Sequence, residues 1–409
     1  MDLEALETCL RHIAHKAAAK ELERLLESAF GARSKQPVAC PSCGRVMHSV
    51  GKRHKRVLTI VGAVRLRRSL YKCSACGAWH IAADAALGVS GTKFSPGARR
   101  MMARAGSRSS FAEAQEDLAV YADLEVDAKD IQRVAESVGR QISQWTRQAH
   151  KEALRKAGSD CAADQSQPIP VMYVSFDGTG VPVRRSELVG RKGKSADGQA
   201  RTREVKLGCV FTQTTLDEDG NPVRDPDSTT YTGAIETSEA FGWRIYAEAV
   251  ARGLERAQKV VVLTDGAAYN KSIIDMHLPD AVHIIDLYHA REHLHELMKL
   301  LSDQTQVARL ADKWLELLDQ GRITEMVGQL KQHVPRSGKR RKEALAHVGY
   351  FLENAGRMRY ADFSAQGFFV GSGVVEAGCR TLIGQRLKHS GMFWSVSGAN
   401  DIIASRCCQ

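Results

Sequence analysis

"KVVVLTDGAAYN", Lys259 to Asn270, decides how this chain is read. Four apolar residues, Val260 to Leu263, run through Thr264 into a carboxylate, Asp265, and a glycine follows at once. A short apolar run between turn signals predicts a buried strand. The following "GAAYNKSIID" predicts a helix, so Asp265 is either that helix's N-cap or a group at the carboxyl edge of an α/β sheet, where ligand and catalytic sites gather. The stretch alone leaves both readings open.

The neighbouring segments extend the pattern. "IPVMYVSFD" predicts a strand ending at Asp177, and "GTGVPVRR", turning at Gly178 and Gly180, predicts a second. "REVKLGCVFTQT", after a basic loop from Arg191 to Arg203, predicts a third. A helix in "TSEAFGWRIYAEAVARGLERA" is capped by Thr237 or Ser238. "KVVVLTD" is then the fourth strand, "AVHIID" a fifth ending at Asp286, and "LYHAREHLHELMKLL" a long helix. By analogy this order belongs to an α/β, ribonuclease H-like fold, whose first three strands form an antiparallel meander and whose first and fourth lie side by side. Asp177 and Asp265 are therefore expected at one sheet edge. Two adjacent carboxylates repel unless a cation lies between them, and Mg²⁺ (or Mn²⁺), which prefers oxygen ligands, is the expected occupant.

A third acid is sought downstream, in "GSGVVEAGCRTLIGQRLKHSGMFW". Glu376 sits there among small and apolar residues, with Arg380 one turn later; alone, the pair also reads as a surface i, i+4 bridge. With the two aspartates, Glu376 is expected to complete a site for two ions about 3.5–4 Å apart, the arrangement of in-line phosphoryl chemistry. Arg386, Lys388 and His389 follow on the same segment and suit a phosphate backbone. "GTG" and "GSG" are too short to indicate nucleotide binding.

Two CxxC pairs, Cys40/Cys43 and Cys73/Cys76, flank residues 44–72. Four thiolates complete a tetrahedral Zn²⁺ shell with no open position, so a structural rather than catalytic ion is expected. Gly44 and Gly77 each follow a second cysteine, where the backbone must curl. "RVLTIVGAVRLRRSLY" alternates like two strands joined near Gly62, the layout of a zinc ribbon. Arg45, Lys52, Arg53, Lys55, Arg56, Arg65, Arg67 and Arg68 make the module suited to phosphate contact, although a solvated hairpin carries the same charges.

From Ser109 the period becomes helical. Ser110 with Glu113 forms a capping box for a helix reaching about Tyr121. Asp127 caps a second, with Ile131, Val134, Val138 and Ile142 on one face. Two helices and a short turn fit a helix-turn-helix, a pattern that many helical bundles share. Lys129, Gln132 and Arg133 are its DNA-facing candidates. A polar, Pro-marked linker is expected near residues 158–168.

Composition sets the bounds. The 409 residues suffice for two or three domains, and 43% hydrophobic content is that of a globular chain. Lys plus Arg is 58 against 47 Asp plus Glu, a net charge of +11 that favours a polyanionic partner. No apolar run approaches the roughly 20 residues of a membrane span, and the charged N-terminal helix pattern is no secretory signal. A cytoplasmic protein without membrane partners is expected, its ten cysteines serving metal rather than disulfides.

"VSFDGTGVP", "VVLTDGA", "HIIDLYHAREHL" and "GSGVVEAGCRTLIGQRLKHSGMFWS", in this order, resemble the DDE transposases of bacterial insertion sequences, closest to the Kra-four group related to Mutator-like transposases. The likeness runs from the CxxC ribbon to the Trp394 region. It implies that Asp177, Asp265 and Glu376 are the catalytic, magnesium-binding triad, and that Asp286-Leu-Tyr-His289 is the D-x-x-H signature. It adds Asp286 and His289 to the catalytic candidates, His289 as a phosphate contact, an orienting group or a core histidine. Glu292 and His293 read as helix-surface residues. The implied organisation is an N-terminal helix (1–35), a zinc ribbon (36–95), a helix-turn-helix (96–160) and a catalytic domain (168–409) with a helical insertion at about 300–370 containing Trp314. The implied partners are terminal inverted repeats and target DNA, held by a homo-oligomer. Family members are expected to continue past "SRCCQ" by another helix or two, so the alternative is a transposase-derived, sequence-specific DNA-binding regulator without catalysis.

Overall fold

A computed structural model of the chain describes residues 2–31, 38–157, 167–193 and 198–408. All but the end of the expected linker near 158–168, and the middle of the basic loop after Arg191, lie outside the described residues. The chain divides into two compact units, Met1–Val138 and Gly139–Gln409.

The first unit opens with helix α1 (Leu3–Leu26), whose Asp2 cap accepts from the Ala5 amide. Its Ala19, Leu22 and Leu26 pack on a small core of Val57, Val64, Leu66 and Val89. Val57, Val64 and Leu66 belong to an antiparallel sheet, β1 (Val38–Ala39), β2 (Val46–Thr59), β3 (Gly62–Lys72) and β4 (Trp79–His80), in that order. The β2–β3 hairpin closes at Thr59 and Gly62, as the alternation predicts. Helix α2 (Ala82–Ala86) follows and carries Asp84. Arg68 donates to Asp84 at 2.6 Å, with Lys55 at 3.5 Å, and Arg67 pairs with Glu27 at 3.0 Å. These three cations, counted above among the phosphate candidates, are instead engaged within the unit. Arg68 is buried on the hairpin's inner face, where an unpaired charge is costly. Arg45, Arg53, Arg56 and Arg65 remain exposed.

Helices α3 (Pro96–Arg108), α4 (Phe111–Ala122) and α5 (Ala128–Ala157) complete the region. The α4 capping box is present: Ser110 Oγ accepts from the Glu113 amide, and Glu113 accepts from the Ser110 amide. Ile131 and Val134 enter a core with Met102, Ala114, Leu118 and Leu124, while Lys129 and Arg133 stay exposed. Helix α3 was not foreseen, although Ser95 at its cap and Pro96 at its first position are a start signal.

The second unit is mixed α/β. Strands β5 (Ile169–Pro182), β6 (Thr202–Gln213), β9 (Thr230–Ala234), β10 (Ala257–Thr264) and β11 (Val282–Ile285) form one sheet in the order β11-β10-β5-β6-β9. A small hairpin of β7 (Thr215–Leu216) and β8 (Pro222–Val223) lies outside it. β5 runs antiparallel to β6 and parallel to β10, so the strand that carries Asp177 and the one that ends beside Asp265 are neighbours, as expected, although the first does not end at Asp177 but runs on to Pro182. The assignment of the second and third strands needs correction. Gly178 and Gly180 do not turn the chain: β5 continues through them, pairing Gly178 with Lys206 and Gly180 with Glu204. The glycines serve close cross-strand approach, because a Cβ at Gly178 would meet Glu204 Oε1 at 2.8 Å. "REVKLGCVFTQ" is thus the second strand, and "TYTGA" the third.

Helices α6 (Ser238–Ala251) and α7 (Ala268–His277) cover one sheet face through Phe241, Ile245, Ile273 and Ile274. Thr237 caps α6, accepting from the Ala240 amide. The other face carries α8 (Leu287–Leu300) and a run of helices, α9 (Gln304–Asp319), α10 (Ile323–Lys331), α11 (Gly338–Asn354) and α12 (Tyr360–Ala365). Trp314 is wholly buried among them, and its indole donates to Gln329 at 3.2 Å. Trp314→Ala is therefore expected to cost about 3–5 kcal/mol, read as a lower denaturant midpoint with an unchanged slope. The chain then returns through α13 (Gly373–Gly378), a π-helical turn (Cys379–Gly384), α14 (Gln385–Leu387) and α15 (Val396–Cys407).

Candidate functional site

The β5–β10 register pairs Leu263 with Ser175. Continued two residues, it sets Asp265 beside Asp177. Helix α13 brings Glu376 to the same place, and one cavity of about 220 Å³ is lined by Asp177, Asp265, Asp286, His289, Ser372 and Glu376. Burial raises the Asp177 pKa above the ordinary carboxylate value, and the nearby charges of Asp265 and Glu376 raise it further. The three acids thus concentrate negative charge that the fold itself does not neutralise.

Each acid is oriented through a protein donor. Asp177 Oδ1 accepts from the Gly178 amide at 2.6 Å, and the Cys379 thiol also hydrogen-bonds Asp177. Asp265 Oδ1 accepts from the Ala267 amide at 3.0 Å and from Asn270 Nδ2 at 2.6 Å. Asp265 is therefore not the helix N-cap proper, since α7 is capped by Ala267. Glu376 Oε1 accepts from Ser372 Oγ at 2.7 Å, in place of a bridge to Arg380.

Asp286 is nearly wholly buried, and its carboxylate is engaged by backbone amides. Oδ1 caps α8 through the His289 amide at 2.6 Å, and Oδ2 accepts from the Ser372 amide. Ser372 thus joins Asp286 to Glu376, a link the linear sequence did not disclose. His289 lines the cavity with its side chain 34% exposed, and its Nδ1 lies 3.5 Å from Glu292, which lines the same cavity. His293 is half-buried rather than fully on the surface: its ring stacks on Tyr350 at 3.9 Å and its Nδ1 lies 3.0 Å from that of His347. Tyr350 in turn donates to the Asp265 carbonyl at 3.2 Å. An i, i+4 spacing of His289 and His293 is the signal that could have flagged this packing.

Of the cations after Glu376, Arg386 is fully buried and lies 4.9 Å over the Trp394 ring, so it is not a phosphate contact. Its long apolar stem makes such burial possible when an aromatic face receives the guanidinium. Lys388 and His389 are exposed, and Lys388 Nζ donates to Thr179 Oγ1 at 2.5 Å, on the strand that carries Asp177.

The four ribbon cysteines form the second constellation. Their sulfurs all lie within 4.8 Å of one another, close enough to hold one metal ion, and zinc suits four thiolates. The two halves repeat one geometry. The Gly44 amide donates to the Cys40 carbonyl at 2.9 Å, and the Gly77 amide to the Cys73 carbonyl at 3.0 Å. Both glycines take left-handed φ, +72° and +73°. The Cys76 amide, acting on Cys73, lowers that thiol's pKa to about 6 against the opposing effect of burial.

No protein-family model and no curated protein matches the chain. Among solved structures, the Drosophila P element transposase strand transfer complex aligns with 80% of this chain and 94% of its own, at 9% identity and a TM-score of 0.32. So slight a likeness carries no argument about function. Among the described residues, no helix is long and apolar enough to cross a membrane.

Proposed function

We propose that the chain is a metal-dependent DNA phosphoryl-transfer enzyme, a DDE transposase built on a ribonuclease H-like catalytic domain (168–409) with its helical insertion near 300–370. One observation carries the reading: Asp177 and Asp265, from neighbouring parallel strands, share a cavity with Glu376. The sheet order β11-β10-β5-β6-β9 supports the fold assignment, since it sets the first strand between the second and the fourth. The donors fit Mg²⁺ or Mn²⁺: all three are carboxylates, and burial together with the charges of Asp265 and Glu376 already raises the pKa of Asp177. Bound there, divalent ions supply Lewis-acid charge and an activated water for attack on a phosphodiester.

The chain's own residues do the rest. Asn270 and the Gly178 and Ala267 amides fix the two aspartates, and Ser372 fixes Glu376. Asp286 acts as a positioning residue through Ser372, rather than as a catalytic group. His289 faces the cavity as a contact for the scissile phosphate, and Lys388 and His389 are its cationic and polar flank. The ribbon (36–95), with structural zinc, and the helix-turn-helix (96–160) would bind terminal inverted repeats, Lys129 and Arg133 facing DNA. A homo-oligomer is the natural way to hold two ends.

Ser372→Ala removes one hydrogen bond to Glu376, worth about 0.5–1.5 kcal/mol. The Mn²⁺ concentration for half-maximal cleavage is expected to rise roughly 2–12-fold, and Ser372→Thr, which keeps the hydroxyl, is expected to restore it. The reading itself is tested by incubating zinc-loaded protein with Mn²⁺ and DNA bearing the inverted repeats that border its gene. Cleavage at the repeat ends with joined products is expected. Sequence-specific binding without cutting or joining would overturn the enzyme and leave a DNA-binding regulator.

A further inference from the structure

A second cavity in the second unit, away from the carboxylate site, is of a different character. It measures about 710 Å³, and its walls include Arg185, Arg191, Arg201, Val189 and Phe393. The three arginines are exposed, as are Val189 (83%) and Phe393 (64%). Burial, followed by the charge of Arg191, holds the Arg203 guanidinium pKa below its usual value.

Phe393 is exposed, and the backbone beside it is tied to the sheet. Its neighbour Trp394 is clipped to the end of β5: the Trp394 amide donates to the Pro182 carbonyl at 3.2 Å, and the Arg184 amide donates to the Trp394 carbonyl at 2.9 Å. The Trp394 ring is buried, with its indole donating to the Leu387 carbonyl at 3.2 Å. An exposed aromatic in one cavity wall with three guanidinium groups combines the two elements that receive a polynucleotide strand: a π-face for a base and forked donors for phosphates. The place suits the purpose. Val183, in the cavity wall, lies six residues along the chain from Asp177, roughly 20 Å at about 3.3 Å per residue.

We propose that this cavity seats a nucleotide of a single DNA strand a few nucleotides from the carboxylate site, the base stacked on Phe393 and the phosphates held by Arg185, Arg191 and Arg201. The proposal rests on the DNA reading above, but it concerns binding and needs no chemistry.

The test uses the full chain, zinc-loaded and without other divalent metal. Fluorescence anisotropy compares a labelled oligothymidylate with an abasic deoxyribose-phosphate oligomer of equal length. The native chain is expected to bind the oligothymidylate roughly tenfold or more tightly. Phe393→Ala is expected to lower that affinity to the abasic level, and Phe393→Tyr to restore it. Arg191→Ala with Arg201→Ala is expected to weaken both ligands alike and to flatten the salt dependence. Equal binding of the two oligomers by the native chain, or unchanged preference in Phe393→Ala, would overturn the inference. If DNA is cut while Phe393→Ala binds like the native chain, the inference alone fails. If Phe393-dependent binding persists without any cutting, the catalytic reading alone fails.

Discussion

Asp265→Asn is expected to lower the single-turnover rate of metal-dependent DNA cleavage by roughly 10²–10³-fold or more, with the fold and zinc content unchanged. The variant isolates charge from structure. Asp265 Oδ1 accepts from the Ala267 amide and Asn270 Nδ2, and an asparagine oxygen can accept the same two bonds. The new amide nitrogen then replaces Oδ2, presenting a donor where a cation requires an acceptor. Thermal unfolding followed by circular dichroism should differ little from the native chain, because removing one of three crowded negative charges relieves repulsion. Cleavage is measured under single-turnover conditions with Mn²⁺. Activity within severalfold of the native rate would exclude Asp265 from the metal site.

The second large effect concerns the ribbon. Cys73→Ser is expected to reduce bound zinc from one ion per chain to near zero and to unfold the module. The core beside the thiols is Met47 and Tyr71 with Cys40 and Cys73, and only Val38, Ala78 and Ala82 pack against it, too little apolar surface to hold the thiol end of the sheet by itself. Structural zinc contributes about 10–16 kcal/mol in such modules, far more than that core supplies. Metal analysis together with hydrogen exchange checks the outcome: amides of β2 and β3 should lose protection in the variant. Full zinc loading with native exchange would show that the four sulfurs are not the ligand set.

Much of this was legible wherever the determining interaction is local. The Ser110–Glu113 box and the Thr237 cap depend on residues three apart, and both formed as read. The two CxxC turns brought their thiols together because each turn is self-contained and the hairpin between them aligns the ends. The two aspartates were visible because apolar strands run directly into them. Other features depend on the fold as a whole. Gly178 and Gly180 look like turn residues, but the Glu204 and Thr202 side chains opposite them decide otherwise. The third strand, "TYTGA", is short and polar and has no periodicity to reveal it. Ser372 gains its role only because Asp286, 86 residues earlier, binds its amide. Arg386 reads as a surface cation until the Trp394 ring covers it.

The most direct test of the central claim is Mn²⁺ binding by the zinc-loaded protein, followed through the electron paramagnetic resonance signal of the free ion. The account predicts saturable binding by the native chain that disappears in the Asp177→Asn, Asp265→Asn double variant. Undiminished Mn²⁺ binding by that variant would contradict it.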